Sequence, residues 1–180
     1  MILKLDTCGI AAVDTIFTYY YDIPTKEEDL AKDFFPAMVK EKRGISLLDM
    51  KRFAKTMGFE AYGYKTNYSG LFEVIKKNPL PIIVHMKQKT EDKEIAHFSI
   101  IAGIVDDYIV LNDTASGNII LGKEDFLSKW TGYLLIIIPP KEAKAIYEKV
   151  YERLKEQQEE VIKHVQKIYF YRDIKYSPSF

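Results

Sequence analysis

The sequence predicts an α+β fold, with N-terminal helices packed on an antiparallel sheet and one long helix at the C-terminus. Three observations predict it. Apolar residues recur at helical spacing over the first third of the chain. Short runs rich in Ile and Val, separated by short connections, follow after Gly58. Beyond Pro139-Pro140 a stretch without Gly or Pro carries an apolar stripe among Glu, Lys and Gln. The chain has 180 residues, 47% hydrophobic and 13% aromatic, which suffices for one well-buried core and excludes intrinsic disorder.

Ile10, Val13, Phe17 and Tyr20, with Ile16 beside them, predict the first helix, and Asp6 or Thr7 suits its N-cap. Tyr21 to Pro24 ends it. Thr25-Lys26-Glu27-Glu28 has the form of a capping box and opens a second helix. Ser46 caps a third, whose inner stripe is Leu47, Met50, Phe53, Ala54 and Met57, and Gly58 stops it. Residues 59–64 then read as a strand, and residues 71–77 as a short helix ended by Asn78-Pro79. Residues 81–86, 97–103, 108–112 and 132–138 are further strands. The prolines at 139 and 140 divide the chain into a main domain, 1–140, and a C-terminal amphipathic helix with an aromatic tail, 141–180. Tyr147, Val150, Leu154, Val161, Val165 and Ile168 form the stripe of that helix, which at 1.5 Å per residue is about 40 Å long. Gln157 falls on its seam and the seven-residue phase breaks near Val165, which disfavours a long parallel coiled coil. The stripe must be covered by the main domain or by a second helix, as in a homodimer through this helix; the less favoured alternative is a helix that projects freely to meet a membrane partner. Tyr169-Phe170-Tyr171 would help to pin it.

Composition excludes several functions. Lys+Arg and Asp+Glu both number 26, so the basic excess of a nucleic-acid binder is missing. One cysteine permits neither an intrachain disulfide nor a Cys-rich zinc module, and no metal or cofactor is expected. The longest fully apolar run, residues 134–138, is far short of the roughly 20 residues that span a bilayer. A free thiol fits the reducing cytoplasm.

Three residues could act together. Cys8 opens the first helix, where unpaired backbone N–H groups favour an anion, and Gly9 beside it would let a substrate backbone approach. A lone cysteine there also fits a small buried apolar group. His97 opens a strand; His85 lies in another strand, and His164 sits on the charged C-terminal helix, where solvation explains it. Asp113 ends a strand before Thr114-Ala115-Ser116-Gly117, where a turn aspartate would bond its own backbone and Asn112 could do the same. A cysteine nucleophile needs a histidine to take its proton and a third group to orient the imidazole. Asp113 follows His97 across a hairpin. An odd loop over residues 103–107 would set the two side chains face to face, roughly 5 Å apart at Cβ. A two-residue turn at Asp106-Asp107 would put them on opposite faces unless a β-bulge intervened.

Several motifs follow one another in order. They are Cys8-Gly9 leading to Tyr19-Tyr20-Tyr21; Gly44-Ile45-Ser46-Leu47 with Ala54 and Gly58; and Pro81-Ile82-Ile83-Val84. His97-Phe98 before an aliphatic strand ending at Gly103, Asp113 before Ala115-Ser116-Gly117, and Trp130-Thr131-Gly132-Tyr133 complete the set. Their order resembles that of the bacteriocin-processing, or double-glycine leader, cysteine peptidases, which have a papain-like fold. The resemblance implies a Cys8–His97–Asp113 triad cutting a precursor peptide after Gly-Gly, and a peptide-exporting ABC transporter as partner. Two positions depart from the family pattern: Ile2 stands where a Gln usually completes the oxyanion hole, and Thr7 replaces the Asp before the cysteine. Loss of one oxyanion donor costs on the order of 100- to 1000-fold in rate. The rival expectation is therefore a peptide-binding domain that does not cut.

Overall fold

A computed structural model describes residues 7–34, 36, 44–89 and 94–175. Helix α1 runs Cys8–Asp14 and widens into a π-helical stretch, Thr15–Tyr20, where the Tyr21 N–H reaches back to Ile16 O at 3.0 Å. The wider turn lets Ile16, Phe17, Tyr20 and Tyr21 all face the core. Phe17 meets Tyr21, Phe53 and Phe59 edge to face, with centroids 5.8, 5.3 and 5.0 Å away. Thr7 occupies the N-cap position of α1 but its side chain makes no capping bond, and Asp6 lies outside the described residues.

The second helix, α2 (Glu27–Asp29, widening over Leu30–Phe34), departs from expectation. Lys26, not Thr25, is its N-cap, and no side chain caps it. The Thr25 hydroxyl instead bonds the Asp14 carboxylate and lies 3.0 Å from the Thr18 hydroxyl, so a tertiary contact outcompetes the local capping box. Helix α3 (Leu47–Thr56) does form its box: the Asp49 N–H donates to Ser46 Oγ at 3.2 Å and the Ser46 N–H to Asp49 Oδ2 at 3.0 Å. Gly58 follows it at φ +83°, a left-handed turn that suits glycine. Helix α4 (Tyr68–Lys77) starts earlier than its apolar spacing implied, because Asn67 caps it by accepting from the Gly70 N–H at 3.0 Å.

Six strands form one sheet in the order β1-β6-β2-β3-β4-β5, every pair antiparallel. They are β1 (Glu60–Lys65), β2 (Ile82–Lys89), β3 (Glu94–Val105), β4 (Tyr108–Asp113), β5 (Gly117–Gly122) and β6 (Trp130–Ile138). Two elements escaped the sequence reading: β5, a half-buried edge strand, and the short helix α5 (Lys123–Lys129) that turns the chain back to β6. Helices on an antiparallel sheet are the expected α+β arrangement. Helix α6 (Lys144–Lys175) is the expected long C-terminal helix. Val150, Leu154, Gln157 and Val161 are buried where it packs on β3, β4 and the π-helical end of α1, and the three apolar ones join the common core. Their steps of four, three and four residues keep one face inward. The Tyr147 hydroxyl ties the helix start to Pro139 O at 2.8 Å. Ile2, and the side chains of Val165, Ile168 and Tyr169-Phe170-Tyr171, lie outside the described residues.

Candidate active site

The hairpin between β3 and β4 decides which side chains can meet. Val105 pairs with Tyr108, so the connection is the two-residue turn Asp106-Asp107, with Asp106 left-handed at φ +52°. A regular ladder from that turn would leave Asp113 on the face opposite His97. It is not regular: Gly103 pairs with Val110 but Ile101 pairs with Leu111, so Ala102 is bulged out of register. Beyond the bulge Ser99 pairs with Asp113, and His97, Ser99 and Asp113 share one face. The five-residue loop that would have set His97 opposite Asp113 does not exist. Ser99 takes that place, and His97 lies one diagonal step away, about 7 Å at Cβ and within reach of its long side chain.

The carboxylate of Asp113 is fully engaged. Oδ2 accepts from His97 Nε2–H at 2.6 Å and from the Ser99 hydroxyl at 2.6 Å. Oδ1 accepts the backbone N–H groups of Ala115 and Ser116 at 3.0 and 2.9 Å. The Thr114 hydroxyl anchors the same turn to Phe98 O at 2.9 Å. Burial pushes the Asp113 carboxyl up, but the bonds from His97 and Ser99 and the His97 charge outweigh it and hold the group well below the usual carboxylate range. His97 is raised to about 9, by its bond to Asp113 first and its bond to Cys8 second, against the opposing effect of burial. With Nε2 held by Asp113, Nδ1 is the ring nitrogen left for the thiol.

The structure thus brings Cys8, His97 and Asp113 together. Cys8 is half-buried and free, at the first turn of α1. The N–H groups of Cys8, Gly9 and Ile10 precede the first intrahelical bond, Ala11 N–H to Thr7 O at 2.9 Å, so helix geometry leaves them without partners in the helix. Gly9 has a different reason from the one expected. A Cβ there would overlap Ile45 and stand 2.8 Å from Met50 Cε, so glycine lets α1 seat against α3 and β3 rather than admitting a substrate. His85 is occupied elsewhere: its Nδ1 lies 2.9 Å from Thr131 Oγ1, and that hydroxyl donates to His85 O at 2.9 Å. Burial and then Lys87 lower its pKa. His164 is exposed on α6, as its charged surroundings suggested.

A cavity of about 500 Å³ opens on the His97–Asp113 side of the sheet, walled by Met86, Ser99, Leu111, Ile119 and Lys129, and Cys8 is not in its wall. Sequence reasoning missed Ser99 and the Ala102 bulge. The signal for Ser99 was present, a lone hydroxyl in the apolar run Phe98-Ser99-Ile100-Ile101. Among the described residues, no group of three or more His, Cys, Asp or Glu side chains could hold a metal ion, and no helix is long and apolar enough to cross a membrane.

A helix-borne cysteine thus lies beside a strand-borne histidine and aspartate. Residues 4–142 match the Peptidase C39 family, and the chain belongs to that family. It is 30% identical over 135 residues to a Pseudomonas fluorescens protein named "Probable functional amyloid protease FapD", covering 73% of this chain and 56% of that one. It is 29% identical over 140 residues to the SPbeta prophage-derived sublancin-168-processing and transport ATP-binding protein SunT of Bacillus subtilis, covering 75% of this chain and 18% of SunT. The chain therefore spans about half the length of the FapD protein and under a fifth of SunT. The peptidase domain of Streptococcus ComA, a bi-functional ABC transporter, superposes with TM-score 0.62 at 24% identity, over 78% of this chain and 96% of that one, and shows the same fold. A double glycine motif protease from an AMS/PCAT transporter, solved with its leader peptide, superposes with TM-score 0.58 at 26% identity over 78% of this chain and 89% of that one.

Proposed function

We propose that this chain is a thiol peptidase that cuts a precursor peptide after Gly-Gly through Cys8, His97 and Asp113. The observation that carries the reading is the meeting of these three side chains on α1, β3 and β4. His97 takes the Cys8 proton, and the sulfur attacks the carbonyl carbon of the scissile peptide bond. The tetrahedral oxyanion points toward the N–H groups at the start of α1 that have no partner within the helix. The C–N bond then breaks, His97 returns the proton to the leaving amine, and an acyl-enzyme remains. Water, deprotonated by His97, attacks the thioester and releases the acid and the thiol. Asp113 holds the imidazole so that one nitrogen faces the thiol throughout.

The Gly-Gly specificity and a peptide-exporting ABC transporter as partner are supported by the likeness to SunT and to the double glycine motif protease, and a cytoplasmic setting by the free thiol of the lone cysteine. The likeness to FapD, named as a probable functional amyloid protease, supports the protease reading as well. One observation favours a second reading, a peptide-binding domain that does not cut: the Ile2 side chain cannot donate a hydrogen bond where the resemblance puts a Gln. Incubation with a Gly-Gly leader peptide, read by mass spectrometry, tests both. Cleavage that vanishes in Cys8→Ala supports the peptidase; binding without cleavage, with Cys8 slow to alkylate by iodoacetamide at pH 6, supports the binder.

A further inference from the structure

Two adjacent glutamines of α6 touch all three elements that carry the triad. Gln157 is buried among polar partners: its Nε2 donates to Asn112 Oδ1 and to the Tyr19 hydroxyl oxygen, both at 3.3 Å, and its Oε1 accepts from the Tyr20 hydroxyl at 2.9 Å. Asn112 immediately precedes Asp113 on β4, and Tyr19 and Tyr20 close the helix that begins at Cys8. Gln158 Nε2 donates to Ala102 O at 3.4 Å, the bulged residue of β3. The same side chain fills the space over Gly103, where a Cβ would come within 2.7 Å of Nε2. That bulge is what turns Asp113 to the face of His97.

An apolar residue at 157 would simply continue the stripe of Val150, Leu154 and Val161. A buried amide gives up that burial and stabilises only if its bonds are made, so it selects one arrangement of its neighbours. Both glutamines lie beyond residues 4–142, which match the family, so the contact belongs to the added helix. We propose that Gln157 and Gln158 are positioning residues, clamping α1, β4 and the bulge of β3 so that His97 stays between Cys8 and Asp113. The catalytic consequence rests on the peptidase reading above; the clamp itself does not.

The test uses the full chain. Gln157→Met with Gln158→Met keeps side-chain length and removes the bonds. Gly103→Ala, independently, needs the flexible Gln158 side chain to move aside, its Cγ as well as its amide. Cys8 and Asp113 are the titratable groups bonded to His97, so its NMR titration reports the triad without any substrate. In both variants the His97 midpoint should fall by at least about one unit toward its ordinary 6.5. On a Gly-Gly peptide kcat should fall at least about tenfold with KM unchanged. A wild-type His97 midpoint in either folded variant overturns the clamp, whether or not the parent chain cuts peptide. If the double variant does not fold, Gly103→Ala decides alone. A parent chain whose His97 itself titrates near 6.5 overturns the clamp and the triad together. Absence of cleavage in the parent chain, with the midpoints shifting as expected, upholds the clamp and rejects only the peptidase reading.

Discussion

Asp113 is the residue on which the site turns. Four donors surround its carboxylate, and two of them, His97 and Ser99, share one oxygen. The charge this arrangement keeps on Asp113 is what holds the His97 proton. Asp113→Ala should therefore lower kcat at least about 100-fold by leaving the imidazole unoriented, while Cys8→Ala abolishes cleavage; single-turnover assays on a Gly-Gly peptide check both. Stability should follow the same pair. His97 is raised from 6.5 to about 9, so its contribution is fully present below pH 6.5 and is lost as pH climbs through 9. Asp113 is lowered, so its contribution is present above the ordinary carboxylate pKa and fades on acidification below it. The thermal midpoint should fall between pH 6.5 and pH 9, and His97→Gln should flatten that fall; calorimetry across the range measures it. Ile2 occupies the position where the family resemblance puts an oxyanion Gln, so Ile2→Gln should raise kcat by about tenfold or more, as steady-state rates would show.

Among elements, the caps show when local chemistry decides and when it does not. Ser46 and Asp49 form their box at the start of α3, three residues apart as the local pattern requires. Ser46→Ala should cost about 1 kcal/mol in a urea melt. Thr25 heads an equally good local pattern, yet its hydroxyl is taken by Asp14, a residue of the preceding helix. The β3–β4 hairpin makes the same point about register. Residue counting narrowed it to an odd loop or a bulge, and only the pairing of Ile101 with Leu111 and Gly103 with Val110 tells which. A bulge needs no particular residue type at Ala102, so it leaves no mark in composition.

For the whole molecule, α6 is the element with most at stake. It buries Val150, Leu154 and Val161 on the sheet and α1, so removing it would uncover the apolar surface beneath. Truncation after Pro140 should lower the thermal midpoint or drive aggregation, read by scanning calorimetry and light scattering. An unchanged, monomeric, equally stable truncate would mean that α6 covers nothing essential.

The sequence by itself determined the α+β class, the order of the helices and most strands, and the three residues that could act together, because apolar periodicity and side-chain chemistry are local properties. Only the tertiary structure decided that Asp113 shares a face with His97, that Ser99 stands opposite Asp113, that Gly9 serves packing, and that Gln157 is a buried bond rather than a flaw in a stripe. Each of these depends on register and on contacts between residues far apart in the chain. A shift of one residue turns a side chain to the other face of a sheet while leaving the local pattern unchanged.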